Sequence, residues 1–422
     1  MNTFLGATGI TAGDSVALLA PPTLAASDPE QAPTPDDSLR HSTIAHYLDA
    51  AAIPYVSADL ISRDAISHIR RIGALLPGAL TDFFGFECPL GTHEAKADFL
   101  ICSRASEGGR DVLAGQRPSR ELPAFLERHP VWQRVRDFSR DWSDSQSPLF
   151  EAIHNLWVEF DVDGMPPAIP VPSVFVGSEA LRPTEAAADP GLMPRHCAWL
   201  LDRALPLLIG RDVDGPTRCQ VARCLNLLPA EARIFQVGLM LARASRITRL
   251  CVRGVSSKQI PEYLQALGWE GSFPELEGLL KSLAPLVERI DLDMDVRDRV
   301  LPKIGLECYP AMTAPARPFL DHLVLSGLST AAKAEALLRW SGMVHQRVTR
   351  DVWPRDLLSL SAFLDGRVHS TFLRWLHHIK VVYEPGFPLQ AKAYLAVKHQ
   401  WVTPGEVKQW LNSALALALQ TA

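Results

Sequence analysis

Lysine and tyrosine side chains that could bind an anion lie near the end of the chain, on a stretch with strand periodicity. Lys392, Tyr394 and Lys398 share one face of the strand predicted over residues 392–398, because alternate residues of a strand point to opposite sides. A Pro-Gly turn at 385–388 joins this strand to an earlier one with the same alternation, which predicts a β-hairpin. Of all the polar strand faces, this one is the first candidate for a functional surface.

Four earlier stretches also read as hairpins with one apolar and one polar face. The five predicted hairpins span residues 84–102, 156–177, 234–253, 290–309 and 378–398. Helical periodicity fills the intervals, including residues 316–325, 329–341, 355–364 and 370–377, and a last amphipathic helix is predicted at 404–419. The order strand-strand-helix-helix therefore recurs about five times, which indicates a structural repeat.

This repeat predicts an α+β fold in which the hairpins pair with one another. About ten antiparallel strands would accumulate, and a sheet of that size tends to close, because closure removes its exposed edges. We therefore expect a closed, antiparallel, ten-stranded barrel with helices outside and the polar strand faces inside. The expected inward residues are Lys96, Asp98, Glu159, Asp161, Gln236, Arg249, Arg253, Asp291, Asp293, Asp295, Lys303, Glu307, Tyr309, Lys380, Glu384, Lys392, Tyr394 and Lys398.

Five such units around an antiparallel barrel resemble the PT-barrel (ABBA) fold of aromatic prenyltransferases. The resemblance covers residues of about 84 to 420 and rests on element order and strand faces. The local sequence similarity is Lys392-Ala393-Tyr394, which resembles the Lys-x-Tyr pairs that the family places on inward strands. The resemblance implies a prenyltransferase of natural product biosynthesis that moves an allylic prenyl group from its diphosphate to an aromatic or peptide acceptor.

The resemblance also implies residue roles. Cationic side chains would bind the diphosphate, tyrosines would screen the allyl cation from water, and the inward Glu159 would orient or deprotonate the acceptor. The implied substrate-binding residues are Arg249, Arg253, Lys303, Tyr309, Lys380, Lys392, Tyr394 and Lys398.

Two other interpretations stay open, so the sequence does not decide whether the protein is an enzyme. One is a non-catalytic barrel that binds a peptide or small molecule in a biosynthetic pathway, and the other is an α+β protein whose hairpins do not close. The charge layout of the lumen discriminates between a prenyltransferase and a non-catalytic binding barrel. Cations clustered at one end beside tyrosines favour diphosphate chemistry, whereas cations paired one-to-one with carboxylates favour binding or a purely structural role.

Two motifs raise the question of a metal ion. Asp291, Asp293 and Asp295 project from one strand face and could bind Mg²⁺ or Ca²⁺, although the glycine and distal glutamate of an EF-hand loop are missing. The alternative is a solvated or counter-charged strand face. The pair His377-His378 has no spaced partner typical of a metal site, so we expect helix-end or surface histidines.

Composition limits the remaining classes. A formal net charge of −5 with scattered basic residues argues against nucleic-acid binding. Seven cysteines, an odd number without paired spacing, indicate reduced thiols, and no signal peptide or membrane span is evident, so a cytoplasmic location is expected. Residues 1–40 have the composition of a disordered leader, and residues 41–422 are predicted to form a single barrel domain with an N-terminal helical segment.

Overall fold

The computed structural model describes most of the chain after the predicted leader. It describes residues 42–117, 122–183, 189–243, 247–311, 316–347, 349–403 and 405–406. The leader predicted at 1–40 and all but two residues of the helix predicted at 404–419 therefore lie outside the described residues. The division into leader and single domain stays a prediction.

Eleven strands of the described residues form one antiparallel sheet, and ten of them close into a barrel, which confirms the predicted fold. The strands are β1 (Phe83–Pro89), β2 (Asp98–Arg104), β3 (Asn155–Phe160), β4 (Ser173–Gly177), β5 (Arg233–Leu239), β6 (Thr248–Arg253), β7 (Arg289–Val296), β8 (Val300–Tyr309), β9 (Gly342–His345), β10 (His369–Tyr383) and β11 (Gln390–Val402). Neighbours follow chain order from β1 to β8, β10 comes next, and β11 pairs with both β10 and β1 to close the ring. The short β9 pairs with the first half of β10, beside the stretch that β8 occupies.

Strand periodicity decides what faces the lumen and what faces the helices. On β7, Ile290, Leu292 and Met294 join the apolar core outside the barrel, so the aspartates that alternate with them point inward. The helices that cover this core are α1 (Ile44–Ala51), α2 (Arg63–Ala74), α3 (Gly109–Leu113), α4 (Pro130–Ser143), α5 (Leu149–Ala152), α6 (Leu205–Ile209), α7 (Gly215–Asn226), α8 (Gln259–Ala266), α9 (Phe273–Leu283), α10 (Arg317–Leu325), α11 (Ala331–Leu338) and α12 (Arg355–Phe363). The apolar core therefore surrounds the barrel, and the lumen is left to polar and aromatic residues.

The helix predicted at residues 370–377 is wrong, because this segment is the first half of β10. Phe372 and Leu376 pack into the outer core, while Trp375 and His377 contact lumenal rings. A strand that is apolar on both faces shows no clean alternation, and its spacing can imitate a helix. Among the described residues, no helix is long and apolar enough to cross a membrane.

Candidate functional site

The lumen has two parts with different linings. We call the first the aromatic chamber, defined by Phe83, Trp157, Phe175, Phe235 and Tyr309, which line a cavity of about 320 Å³. We call the second the ion-pair half, which lies near the opposite strand ends. It is defined by residues that line a smaller cavity of about 100 Å³: Arg243, Arg249, Lys303, Lys380 and Lys392. Since the chain alternates direction in an antiparallel sheet, the carboxyl ends of β6 and β8 and the amino ends of β3 and β5 meet at the aromatic chamber.

Two arginines at the aromatic chamber share one carboxylate. Arg253 Nε lies 2.9 Å from Asp291 Oδ2, and Arg289 Nε lies 3.0 Å from Asp291 Oδ1. The guanidinium of Arg253 stacks 4.0 Å above the ring of Phe235, and that of Arg289 stacks 3.9 Å above the ring of Tyr309. Two cations on one anion leave net positive charge beside aromatic rings, and both arginine side chains are partly exposed.

Two further cations stand at the same end. Arg104 lines the aromatic chamber and reaches its carboxylate partner Asp82 only at 3.7 Å. Lys398 lies opposite Phe83 on β11 and has no ion-pair partner among the residues that the structure describes. Tyr309 lies among these cations, and the carboxylates Glu159, Glu179 and Glu307 line the same chamber.

In the ion-pair half, by contrast, each cation has a carboxylate of its own. The pairs are Arg243–Asp161, Arg249–Asp295, Lys303–Glu384, Lys380–Asp293 and Lys392–Glu87. The Lys380 ammonium, for example, lies 2.5 Å from Asp293 and is almost fully buried. A buried pair of this kind neutralises both charges, so neither partner is available to a ligand without breaking the pair.

Glu87 is a lumenal carboxylate that the sequence analysis missed. Both Lys392 and Tyr394 donate hydrogen bonds to it across the β1–β11 pair. Burial disfavours its charged form, but the nearby Lys392 and Lys380 outweigh burial and lower the pKa of Glu87 to about 2. The alternation of β1, with Phe84, Phe86 and Cys88 on the outer face, could have placed Glu87 inside.

Glu159 lies between the two cavities and lines both. Its side chain has no hydrogen bond or ion pair among the described residues, although the residue is only 8% exposed. Burial, and after it the negative charges of Glu87 and Asp98, raise the pKa of Glu159 to about 8. A buried carboxyl group that titrates near neutral pH can exchange a proton with a bound molecule.

The three aspartates predicted to bind a metal ion each contact a different cation. Asp291 pairs with Arg253 and Arg289, Asp293 with Lys380, and Asp295 with Arg249 through two hydrogen bonds of 2.8 and 3.1 Å. Within the described part of the chain, two other groups of side chains lie close enough to share an ion: Cys251, Asp293 and Glu307, and Asp98, Glu159 and Asp161. Each of the three aspartates is therefore counter-charged, and metal binding by the triplet stays a prediction.

The two adjacent histidines and two of the predicted inward residues do not lie where the sequence predicted. His377 and His378 lie on β10 against Tyr309 in the lumen, so the expectation of helix-end or surface histidines is wrong. Lys96 precedes β2 and pairs with Glu94 while half exposed, so it does not face the lumen. Glu384 follows β10 at the rim.

Comparison with known proteins adds no residue roles. No protein-family model and no curated protein sequence matches the chain. Among solved structures, the chain is similar to 5-dimethylallyltryptophan synthase from Streptomyces coelicolor, with 12% identity over 83% of this chain and 94% of that one, at a TM-score of 0.39. It is similar also to prenyltransferase PriB in complex with product diphosphate, with 13% identity over 83% of this chain and 93% of that one, again at 0.39. The closed ten-stranded antiparallel barrel with helices outside is the architecture that the sequence predicted, and it rests on the strand topology of this chain alone.

Proposed function

We propose that the lumen is the active site of a prenyltransferase that transfers an allylic group from its diphosphate to a small aromatic acceptor. The observation that carries the proposal is that two arginines, Arg253 and Arg289, share the single carboxylate of Asp291 beside the rings of the aromatic chamber. An allylic diphosphate has an anionic head and an apolar tail, and this end of the lumen offers a complement to each.

The diphosphate would bind at Arg253 and Arg289, with Arg104 and Lys398 nearby. Guanidinium groups bind phosphate oxygens in a bidentate manner, and two of them on a single carboxylate retain the charge to do so. This choice keeps Arg253, Tyr309 and Lys398 from the predicted set. It leaves the other predicted cations and Tyr394 as supports of the lumen wall, because the lysines and Arg249 are paired and Tyr394 donates to Glu87.

The allyl group would lie among the rings of Phe83, Trp157 and Tyr309. When the bond between the allylic carbon and the diphosphate oxygen breaks, the electron pair leaves with the diphosphate, and the resulting cation needs a π surface that excludes water. Phe83 stacks edge-on against Trp157 at 5.1 Å, so the two rings form a continuous wall. The arginines supply the charge that would otherwise require a metal ion, so the proposal does not use the predicted Mg²⁺.

Glu159 is the proposed proton acceptor. Attack by an aromatic carbon forms the new carbon–carbon bond, and the ring then loses a proton, which the Glu159 carboxylate takes. Because the pKa of Glu159 is raised to about 8, only the minority ionised form is competent at pH 7. The rate is therefore expected to rise with pH up to about 8 and then to level off.

A second candidate function is supported by the ion-pair half. Its one-to-one pairing is what a non-catalytic barrel would show, and such a barrel would bind an aromatic small molecule in the same chamber without turning it over. The cavity of about 320 Å³ suits a small ligand better than a folded peptide.

One assay distinguishes these functions. The purified full chain is incubated with dimethylallyl diphosphate and L-tryptophan, because a similar structure contains L-tryptophan and dimethylallyl thiolodiphosphate, and with simple phenols and indoles. The supporting result is release of diphosphate with an acceptor heavier by one prenyl unit, lost in Arg253→Gln. Binding of an aromatic acceptor without turnover or affinity for the donor would favour the non-catalytic barrel and contradict prenyl transfer.

A further inference from the structure

Three neighbouring strands each bring one potential metal ligand to the same point of the lumen wall, and the next strand adds a fourth beside one of them. These are Cys251 on β6, Asp293 on β7, Glu307 on β8 and His378 on β10. Cys251 lies directly opposite Asp293 in the register of β6 with β7. One ligand atom from each of Cys251, Asp293 and Glu307 lies within 4.8 Å of the others, and all three residues are buried.

His378 is an independent observation that points to a ligand at this cluster. Its Nε2 is buried without a hydrogen-bond partner and lies 3.7 Å from Glu307 Oε1. Its other nitrogen, Nδ1, lies 2.7 Å from Nδ1 of His377. In the tautomer in which His378 Nδ1–H donates to His377, Nε2 presents its lone pair to the cluster, which is the arrangement of a metal-bound histidine with its supporting hydrogen bond.

We propose that Cys251, Asp293, Glu307 and His378 bind a divalent transition metal ion of the Zn²⁺ type. A thiolate, an imidazole nitrogen and carboxylate oxygens are donors that Zn²⁺ accepts, and four protein ligands make a closed tetrahedral site that stabilises the fold. Hard cations such as Mg²⁺ prefer oxygen donors and are disfavoured by the cysteine. The inference does not depend on prenyl transfer, since no residue of the proposed diphosphate site or Glu159 takes part.

Lys380 is the group that the metal ion would replace. Its ammonium lies 2.5 Å from Asp293 Oδ2 and 3.8 Å from Glu307 Oε1, so it supplies positive charge to this cluster. On binding, the Cys251 thiol would release its proton to solvent, and the lysine side chain would move away from the carboxylates. Removal of the lysine charge should therefore favour the metal ion.

The test uses Co²⁺ as a spectroscopic probe on the full chain, stripped with a chelator and kept reduced. The proposal expects one Co²⁺ per chain, with the visible bands of a tetrahedral site and a thiolate-to-cobalt charge-transfer band, both removed by added Zn²⁺. The charge-transfer band should be lost in Cys251→Ser and kept in Cys102→Ser, a matched control because Cys102 is also a buried cysteine of the aromatic chamber. His378→Ala should weaken Co²⁺ binding at least tenfold.

Lys380→Met keeps the test decisive if the cysteine variant does not fold. We expect this variant to bind Co²⁺ and Zn²⁺ more tightly than the wild type does, with a larger rise in melting temperature on adding Zn²⁺. Absence of stoichiometric binding in both the wild type and Lys380→Met would overturn the site. A charge-transfer band that persists in Cys251→Ser would overturn it as well, because the thiolate would then belong to another cysteine.

Discussion

The two parts of the lumen contain similar numbers of arginines and lysines but use them differently. In the aromatic chamber, Arg253 and Arg289 share the single carboxylate of Asp291 and stack on rings. In the ion-pair half, Lys380 and Arg249 each have a carboxylate within 3 Å. An inward cation is therefore not by itself a ligand site. The ratio of cations to carboxylates around it decides whether positive charge is left for a ligand.

The largest expected effect concerns the stability of the ion-pair half. Asp293→Asn removes the close partner of the buried Lys380 ammonium, so we expect a loss of about 3 to 5 kcal/mol in the free energy of unfolding. Chemical denaturation of the metal-free protein measures it. The matched change in the aromatic chamber is Asp82→Asn, which affects a looser 3.7 Å pair and should cost about 1 kcal/mol or less. Equal losses in the two variants would contradict the contrast between the regions.

Glu159 should make the free energy of unfolding depend on pH. Its pKa is raised from 4.5 to about 8 in the folded protein, so between these values the folded chain holds a proton that the unfolded chain has lost. Stability contributed by this group is therefore complete below pH 4.5, falls as the pH rises, and is constant above about 8. Glu159→Gln removes this loss, and the free energy of unfolding of the variant should exceed that of the wild type by an amount that grows with pH to several kcal/mol.

Denaturation of both proteins at several pH values provides the measurement. Glu384→Gln is the control, since Glu384 is partly exposed and its lysine partner is 3.8 Å away. A Glu159→Gln advantage that is the same at pH 5 and pH 8.5 would show that the carboxyl group is already ionised, and the proposed proton acceptor would lose its support.

The smallest effect separates the ring of Tyr309 from its hydroxyl group. The ring stacks under Arg289, and the hydroxyl donates a 2.8 Å hydrogen bond to Glu307. Tyr309→Ala should weaken dimethylallyl diphosphate binding about tenfold because the cation–π surface is lost, whereas Tyr309→Phe should weaken it less than threefold. Calorimetric titration of the two variants makes the comparison. Equal losses in Tyr309→Phe and Tyr309→Ala would assign the effect to the hydroxyl group and contradict the prediction.

The sequence predicted the barrel because the outer strand faces are apolar by simple alternation, as on β7. It could not predict which charges pair, because partners meet through the register of distant strands: Glu87 and Lys392 are 305 residues apart in the chain. Pairing is what separates Arg253 from Arg249, although both are arginines on the same face of β6. The contrast between the two regions therefore could not be predicted from the sequence alone.

The aromatic lining was missed for a local reason. Phe235 should point outward if Gln236 points inward, but a bulge between Ile234 and Gln236 shifts the register, so that Phe235 joins the lumenal cluster with Phe175 and Cys251. A one-residue irregularity of this kind leaves no clear signal in the pattern of residue types. Trp157, on the same face as Glu159, could have been placed in the lumen by alternation alone.

The central claim is that the aromatic chamber, and not the ion-pair half, binds an anionic ligand. Calorimetric titration with dimethylallyl diphosphate should compare the wild type, Arg253→Gln and Arg249→Gln, each checked for folding by circular dichroism. We expect the loss of a charge-assisted contact to weaken binding about ten- to a hundredfold in Arg253→Gln, with less than a threefold change in Arg249→Gln. Weaker binding in Arg249→Gln than in Arg253→Gln, or no binding by the wild type, would contradict the claim.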